Sequence, residues 1–226
     1  AISNLDVDIE AGSIHGLIGP NGSGKSTFFN LVTGVYQPDP GSKIFFDGHD
    51  ITRSPSHQIG ALGIARTFQL LRLFSEMTVL QNVMVGYHTH VPYGFLSTIF
   101  NNSAIIKKDA EITDEMMELL ELIGLADYAG MPASELSGGQ RRLLSLGRAM
   151  AMRPKLLMLD EPAAGLSPVN VENLLAIVMS LKERFGLTVL IVEHILKVVM
   201  ETCDTVTVLD YGEKIGEGTP EEEKDD

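Results

Sequence analysis

Cysteine is almost absent from this chain of 226 residues, with Cys203 standing alone. That excludes an intrachain disulfide and a metal site built from cysteines, and it fits a reducing compartment. Basic residues are scarce as well. Lys and Arg total 17 against 30 Asp and Glu, a formal charge of −13. Nucleic-acid binders usually carry a basic surface, so that class is disfavoured. No apolar run approaches the roughly 20 residues of a membrane-spanning helix. The opening residues AISNLDVDIEAG lack the basic start and apolar middle of a signal peptide. Together these absences predict a cytoplasmic chain that meets a membrane only through a partner. What is present suffices for a packed interior: hydrophobic residues make up 44% of the chain, enough for one domain, or one domain carrying a sub-lobe.

The elements are readable in order. Ser13 to Ile18 reads as a short apolar strand, and Lys25 to Val32 as a helix stopped by Gly34. Lys43 to Phe46 is strand-like and precedes Asp47-Gly48, a hairpin-type dipeptide. Ile64 to Phe68, Leu156 to Leu159, Thr188 to Val192 and Thr205 to Leu209 read as further strands. Residues 109–123 carry Ile112, Met116, Leu119, Leu120 and Ile123 at helical spacing. Ser167 and Pro168 read as N-cap and first residue of a helix striped by Val171, Leu174, Leu175, Val178 and Leu181. Continuous apolar strands imply a sheet covered on both faces, hence parallel α/β. The expected fold is a P-loop nucleotidase core with a mainly parallel sheet, a small antiparallel β portion and an inserted helical subdomain. The core spans residues 1–69 and 155–226, and the helical subdomain spans 70–154. Residues 87–108 are the least readable, and Glu221 to Asp226 form a charge run expected to be a solvated end.

Gly19-Pro20-Asn21-Gly22-Ser23-Gly24-Lys25-Ser26 fits the phosphate-loop pattern G-x-x-x-x-G-K-[ST], and Thr27 follows it. Backbone N–H groups converge on phosphate oxygens only where no Cβ intervenes, which favours Gly22 and Gly24. The next helix points its positive end at the same anion. Lys25 adds a mobile charge for the terminal phosphates, and Ser26 offers a hydroxyl to Mg2+. Asp160-Glu161 follows an apolar strand. In an open parallel sheet, ligands sit beyond the carboxyl ends of the strands. Asp160 is placed to hold magnesium through a water, and Glu161 to orient or deprotonate an attacking water. Alone, such a pair often marks only a strand ending in solvated acids; beside a phosphate loop it acquires a task.

Leu136-Ser137-Gly138-Gly139-Gln140 opens another helix. Ser137 reads as its N-cap, and the two glycines leave bare N–H groups with room for an anion. By physics alone a flexible helix entrance fits equally well. A second phosphate-binding surface on one chain makes sense only if two chains share each nucleotide.

The order of phosphate loop, Gln69, Leu-Ser-Gly-Gly-Gln, Asp160-Glu161 and His194 resembles the nucleotide-binding subunit of an ABC transporter, over roughly residues 5 to 220. Ala65-Arg66-Thr67-Phe68-Gln69, Arg72-Leu73-Phe74, Met77 to Val83, Ala163-Ala164-Gly165-Leu166 and Asp210 to Ile215 resemble one branch, the ATP-binding subunits of branched-chain amino-acid importers. The resemblance implies an ATPase that binds ATP and Mg2+ and works as a head-to-tail dimer, homo- or heterodimeric. Each ATP would lie between the phosphate loop of one chain and Ser137, Gly138, Gly139 and Gln140 of the other. It implies Gln69 as a lid-loop residue reaching metal and water, and His194 as a contact to the γ-phosphate. It also implies transmembrane permease subunits as partners, a substrate-binding protein indirectly, and a peripheral place on the inner face of the plasma membrane. Two departures stand out. The family's adenine-stacking aromatic is expected upstream of Ala1, with the C-terminus shortened or replaced by acids. Ala164-Gly165-Leu166-Ser167 also lacks the aspartate that many such subunits carry there.

Other classes remain as alternatives. A soluble P-loop phosphotransferase has no need of the Ser137 segment. A GTP switch would need an Asn-Lys-x-Asp segment, which does not occur. An ABC-type ATPase acting on DNA or ribosomes sits poorly with the charge of −13. A transporter of urea, short amides or lipid differs only in cargo.

Overall fold

A computed structural model describes residues 2–67, 73–88 and 103–222, with 103–108 described by backbone alone. The chain divides into two compact units, one of residues 1–69 and 154–226, the other of residues 70–153.

The first unit is built on a six-stranded sheet. Its strands are β1 (Ile14–Ile18), β4 (Ile64–Arg66), β5 (Leu156–Asp160), β6 (Thr188–Val192), β7 (Thr205–Asp210) and β8 (Glu213–Gly218). The lateral order is β4-β5-β6-β1-β7-β8. All neighbours pair parallel except β7 and β8. The antiparallel edge strand β8 was not expected. Its sequence EKIGEG is largely exposed, so burial imprinted no apolar pattern on it. The central strands are apolar along nearly their whole length because both faces are covered: Ile14, Leu17, Leu157, Met158, Val189 and Ile191 are all buried. Each such side chain contributes about 1.5–3 kcal/mol relative to exposure.

Helices α1 (Lys25–Val32), α2 (Ser56–Leu62), α6 (Pro168–Phe185) and α7 (Leu196–Thr202) belong to this unit. Ser167 caps α6 by accepting from the Asn170 N–H, Pro168 stands in the first turn, and Gly186 ends the helix with φ 63°. The apolar stripe buries Leu174, Leu175, Val178 and Leu181. Strands β2 (Phe45–Phe46) and β3 (His49–Asp50) make a separate antiparallel hairpin. Its turn residues Asp47 and Gly48 have φ 48° and 75°, as a twist-matched two-residue turn requires.

The second unit contains α3 (Val79–Tyr87), α4 (Ser103–Leu122) and α5 (Gly138–Met150), with 3-10 turns at Ala126–Tyr128 and Ala133–Glu135. No strand occurs among its described residues. Thr78 and Gln81 form a capping box at the start of α3. The fully buried Asn82 accepts from the Phe74 N–H and donates to the carbonyls of Phe74, Met77 and Thr78, so one side chain fixes the approach to the helix. Gly86 packs directly on α5, where an added Cβ would lie 2.1 Å from the Arg148 carbonyl oxygen.

One buried titratable group sits inside the sheet. His15 on β1 contacts the hydroxyls of Thr205 at 2.8 Å and Thr207 at 2.9 Å. Burial lowers its pKa from 6.5, against the opposing pull of Glu217 and with a small push from Lys214. The ring therefore protonates more readily in the unfolded chain. Its stabilising contribution is complete above the unfolded value and is lost as pH falls through the window between the two values. We predict that the urea midpoint drops as pH is lowered from about 7 to about 5, and that His15→Gln shows a smaller drop.

Candidate functional site

The carboxyl ends of β1, β5 and β6 share one edge of the sheet, because these strands run parallel with β6 between the other two. The phosphate loop leaves β1, Asp160 ends β5, and His194 lies two residues beyond β6. Asp160 is in register with Val192.

The loop at 19–24 is shaped by left-handed residues. Gly19, Gly22 and Gly24 have φ of 145°, 86° and 110°. At Gly19 a Cβ would lie 2.1 Å from the Leu209 carbonyl oxygen, so no other residue fits. Around Gly22 nothing among the described residues lies within 4 Å of such an atom, leaving its backbone open to a ligand. Gly24 is the N-cap of α1. The β7–β8 turn braces the loop, with the Gly212 N–H donating to the Ser23 carbonyl at 2.9 Å. Ser23 is buried, and its Oγ has no hydrogen-bond partner among the described residues. A buried hydroxyl without a partner is costly, and a phosphate oxygen would relieve it.

Lys25 is only 6% exposed, and its ammonium donates to the carbonyls of Gly19 at 2.7 Å and Pro20 at 2.9 Å. Burial lowers its pKa, while the charges of Glu161 and Asp160 oppose that shift. The lysine of the loop and the acid pair of β5 thus lie within electrostatic reach of one another. Asn21 and Ser26 are exposed, and Thr27 is half-buried on α1.

Asp160 is not a solvated acid. Its Oδ2 accepts from Arg66 Nη2 at 2.7 Å, and both side chains are about one-tenth exposed. Arg66 also donates to Asn30 Oδ1 at 2.7 Å and lies over the Phe29 ring, 5.2 Å from its centroid. One guanidinium therefore links β4, α1 and β5. Glu161 takes φ 47°, unusual for a residue with a side chain. Its N–H donates to the Val192 carbonyl at 2.9 Å, which holds the turn against the end of β6.

Glu193 was not expected. It is fully buried between the expected carboxylate and the expected histidine. Its Oε1 accepts from the Ala163 N–H at 2.8 Å, and its Oε2 accepts from the N–H groups of His194 at 3.1 Å and Ile195 at 3.4 Å. The His194 side chain itself is 53% exposed. The signal for Glu193 was its place, an acid directly behind an apolar strand, as at Asp160. The signal for Arg66 existed only through the pairing of β4 with β5. Gln69 lies outside the described residues.

Ser137, Gly138, Gly139 and Gln140 belong to the other unit. Ser137 caps α5. Its Oγ accepts from the Gln140 N–H at 3.3 Å, and Gln140 Oε1 accepts from the Ser137 N–H at 2.9 Å. This capping box engages both polar side chains and leaves the N–H groups of Gly138 and Gly139 without intrahelical acceptors. Gly138 is exposed, with nothing among the described residues within 4 Å of where a Cβ would stand.

The profile of the ABC transporter family matches residues 2–164. The chain belongs to that family. Among its relatives, the high-affinity branched-chain amino acid transport ATP-binding protein BraF of Pseudomonas aeruginosa is 40% identical over all of this chain and 88% of its own length. The LivG protein of Escherichia coli, of the same description, is 38% identical over 98% of this chain and 87% of its own. The crystal structure of the ADP conformation of an ABC transporter's ATP-binding cassette superposes with a TM-score of 0.84 at 36% identity, covering 99% of this chain and 86% of that one. A nucleotide-free cassette gives 0.83 at 35% identity, covering 99% and 87%. The chain is an ABC ATP-binding subunit, homologous to branched-chain amino acid transport ATP-binding proteins, and its family hydrolyses ATP to power transport.

Removing Arg66 would leave a nearly buried Asp160 without its cation beside Glu161. Losing one partner of a buried pair costs about 3–5 kcal/mol. We expect Arg66→Ala to lose about that much in urea unfolding, and Arg66→Lys to recover only part of it, since a single ammonium cannot fork between Asn30 and Asp160.

Proposed function

We propose that this subunit binds Mg2+–ATP and drives import of branched-chain or related amino acids. The observation that carries the reading is that a chain with two glycine segments, Gly19 to Gly24 and Gly138-Gly139, is 38% to 41% identical along almost its whole length to relatives described as branched-chain amino acid transport ATP-binding proteins.

The phosphate loop fits a nucleotide in its residues. It has an open Gly22 backbone, a buried Ser23 hydroxyl without a partner among the described residues, and a lysine donating inward. Ser26, Asp160 and Gln69 would hold Mg2+, which supplies positive charge to the phosphate oxygens. Arg66 occupies one oxygen of Asp160, consistent with a contact through water rather than a direct metal bond. Glu161 orients and deprotonates the attacking water. His194, half-exposed beside the turn of Glu161, contacts the γ-phosphate.

Gly138 and Gly139 present their N–H groups to a nucleotide held by the phosphate loop of a second chain, the same or a related one. Two chains arranged head to tail then share two ATP molecules, and closure excludes water. Swinging the pair from mostly open to mostly closed requires about 5.5 kcal/mol of preference for the closed form. Phosphate contacts from both chains supply it. Hydrolysis removes the bridging group and the pair opens. The helical subdomain, residues 70–154, passes the motion to transmembrane permease subunits, which a substrate-binding protein serves. Residues 70–108 are its docking surface, a reading supported by the exposure of Phe74 and Met77, 47% and 38%; residues 70–72 and 89–102 of that stretch lie outside the described residues. The chain then works on the cytoplasmic side of the membrane.

Two variants test this. Glu161→Gln is expected to abolish phosphate release while ATP-dependent dimers persist in size-exclusion chromatography; normal turnover would remove Glu161 from its role. Ser137→Arg is expected to block hydrolysis yet leave ATP binding by isolated monomers intact, as read by equilibrium dialysis. Loss of monomer binding in that variant counts against a shared site.

A further inference from the structure

Glu193 is a carboxylate with no solvent exposure, and nothing in the proposed reaction uses it. A buried carboxylate persists only where donors surround it. Here the hydrogen-bond donors are backbone N–H groups from two loops, and the His194 ring Nδ1 stands 3.9 Å from Oε2. One loop follows β5 and contributes Ala163, two residues after Glu161. The other follows β6 and contributes His194 and Ile195. The residue before Glu193, Val192, accepts from the Glu161 N–H. Two consecutive residues at the end of β6 therefore hold the backbone of both Glu161 and Ala163. Ala163 and Ile195 further pack together with Leu175 and Val198 in a small apolar cluster.

We propose that Glu193 is a positioning residue that ties the turn carrying Glu161 to the loop carrying His194, so that the two move as one body. The proposal rests on the reading of Glu161 and His194 given above. The left-handed backbone at Glu161 supports it. That conformation costs a residue with a side chain about 1–2 kcal/mol, and it persists where the surroundings over-determine it. The ties from Val192 and Glu193 are such surroundings. A carboxylate suits the task better than its amide, because it is acceptor-only and can meet N–H groups on both sides. A glutamine in its place must turn its NH2 toward one of the two loops, setting donor against donor.

The test uses the full chain in its assembled complex. Glu193→Gln is expected to lower kcat by about ten- to hundredfold, the range produced by misplacing a reacting group by about an ångström. The Kd for ATP, measured separately by equilibrium binding, is expected to stay within about twofold, since the phosphate loop is untouched. Glu193→Asp keeps the charge but is one methylene shorter, reaches one loop only, and is expected to show the same split. A kcat near wild type in Glu193→Gln overturns the proposal. So does parallel loss of kcat and ATP binding in both variants, which signifies general destabilisation. Glu161→Gln is run beside them. If it turns over normally, the underlying site reading fails; if it is inactive while Glu193→Gln is normal, only the tie fails.

Discussion

Backbone amides can be aimed at an anion only where the chain turns against its usual hand. At the phosphate edge of the sheet the chain does so repeatedly. Gly19, Gly22 and Gly24 adopt positive φ in the loop, and Glu161 does so in the turn beyond β5. Glycine adopts this conformation at no steric cost, whereas a glutamate does not. The difference separates two kinds of site. The loop is shaped by its own composition, while the turn at Glu161 is shaped by what its neighbours hold in place.

Charge is managed along the same edge. An acidic chain places two adjacent carboxylates beside a phosphate-binding loop, which is unfavourable unless each has a partner. Arg66 partners Asp160, and its reach to Asn30 ties that partnership to α1, the helix that follows the phosphate loop. Lys25 senses both acids through space. Glu193 is held differently, by hydrogen bonds from peptide N–H groups, with the His194 ring Nδ1 3.9 Å from its Oε2. The result is a set of carboxylates with distinct surroundings, which is what distinct tasks require.

The second glycine segment obeys the same physics in another setting. A capping box consumes the polar side chains of Ser137 and Gln140 and so fixes the start of α5. What remains presented is backbone, at Gly138 and Gly139. Serine and glutamine there organise a donor surface, and the glycines keep it accessible.

Much of this was legible before any coordinates. The phosphate loop, the apolar strands β1, β5, β6 and β7, the Ser167 cap and the Ser137 cap all follow from local rules: which residues tolerate positive φ, which short runs are continuously apolar, and which side chains satisfy orphan N–H groups. The edge strand β8 and the short helices α2 and α7 left little trace, because exposed or seven-residue elements carry too few buried positions to set a period. Arg66 and Glu193 could not be assigned roles at all. Each acts through residues distant in sequence but adjacent in the sheet, Arg66 across β4 and β5 and Glu193 across β5 and β6. Sequence alone determined which residues can meet a phosphate, because that depends on one residue's backbone freedom and charge. Only the tertiary structure decided which side chains hold them in place, because strand order, not chain order, sets who lies beside whom.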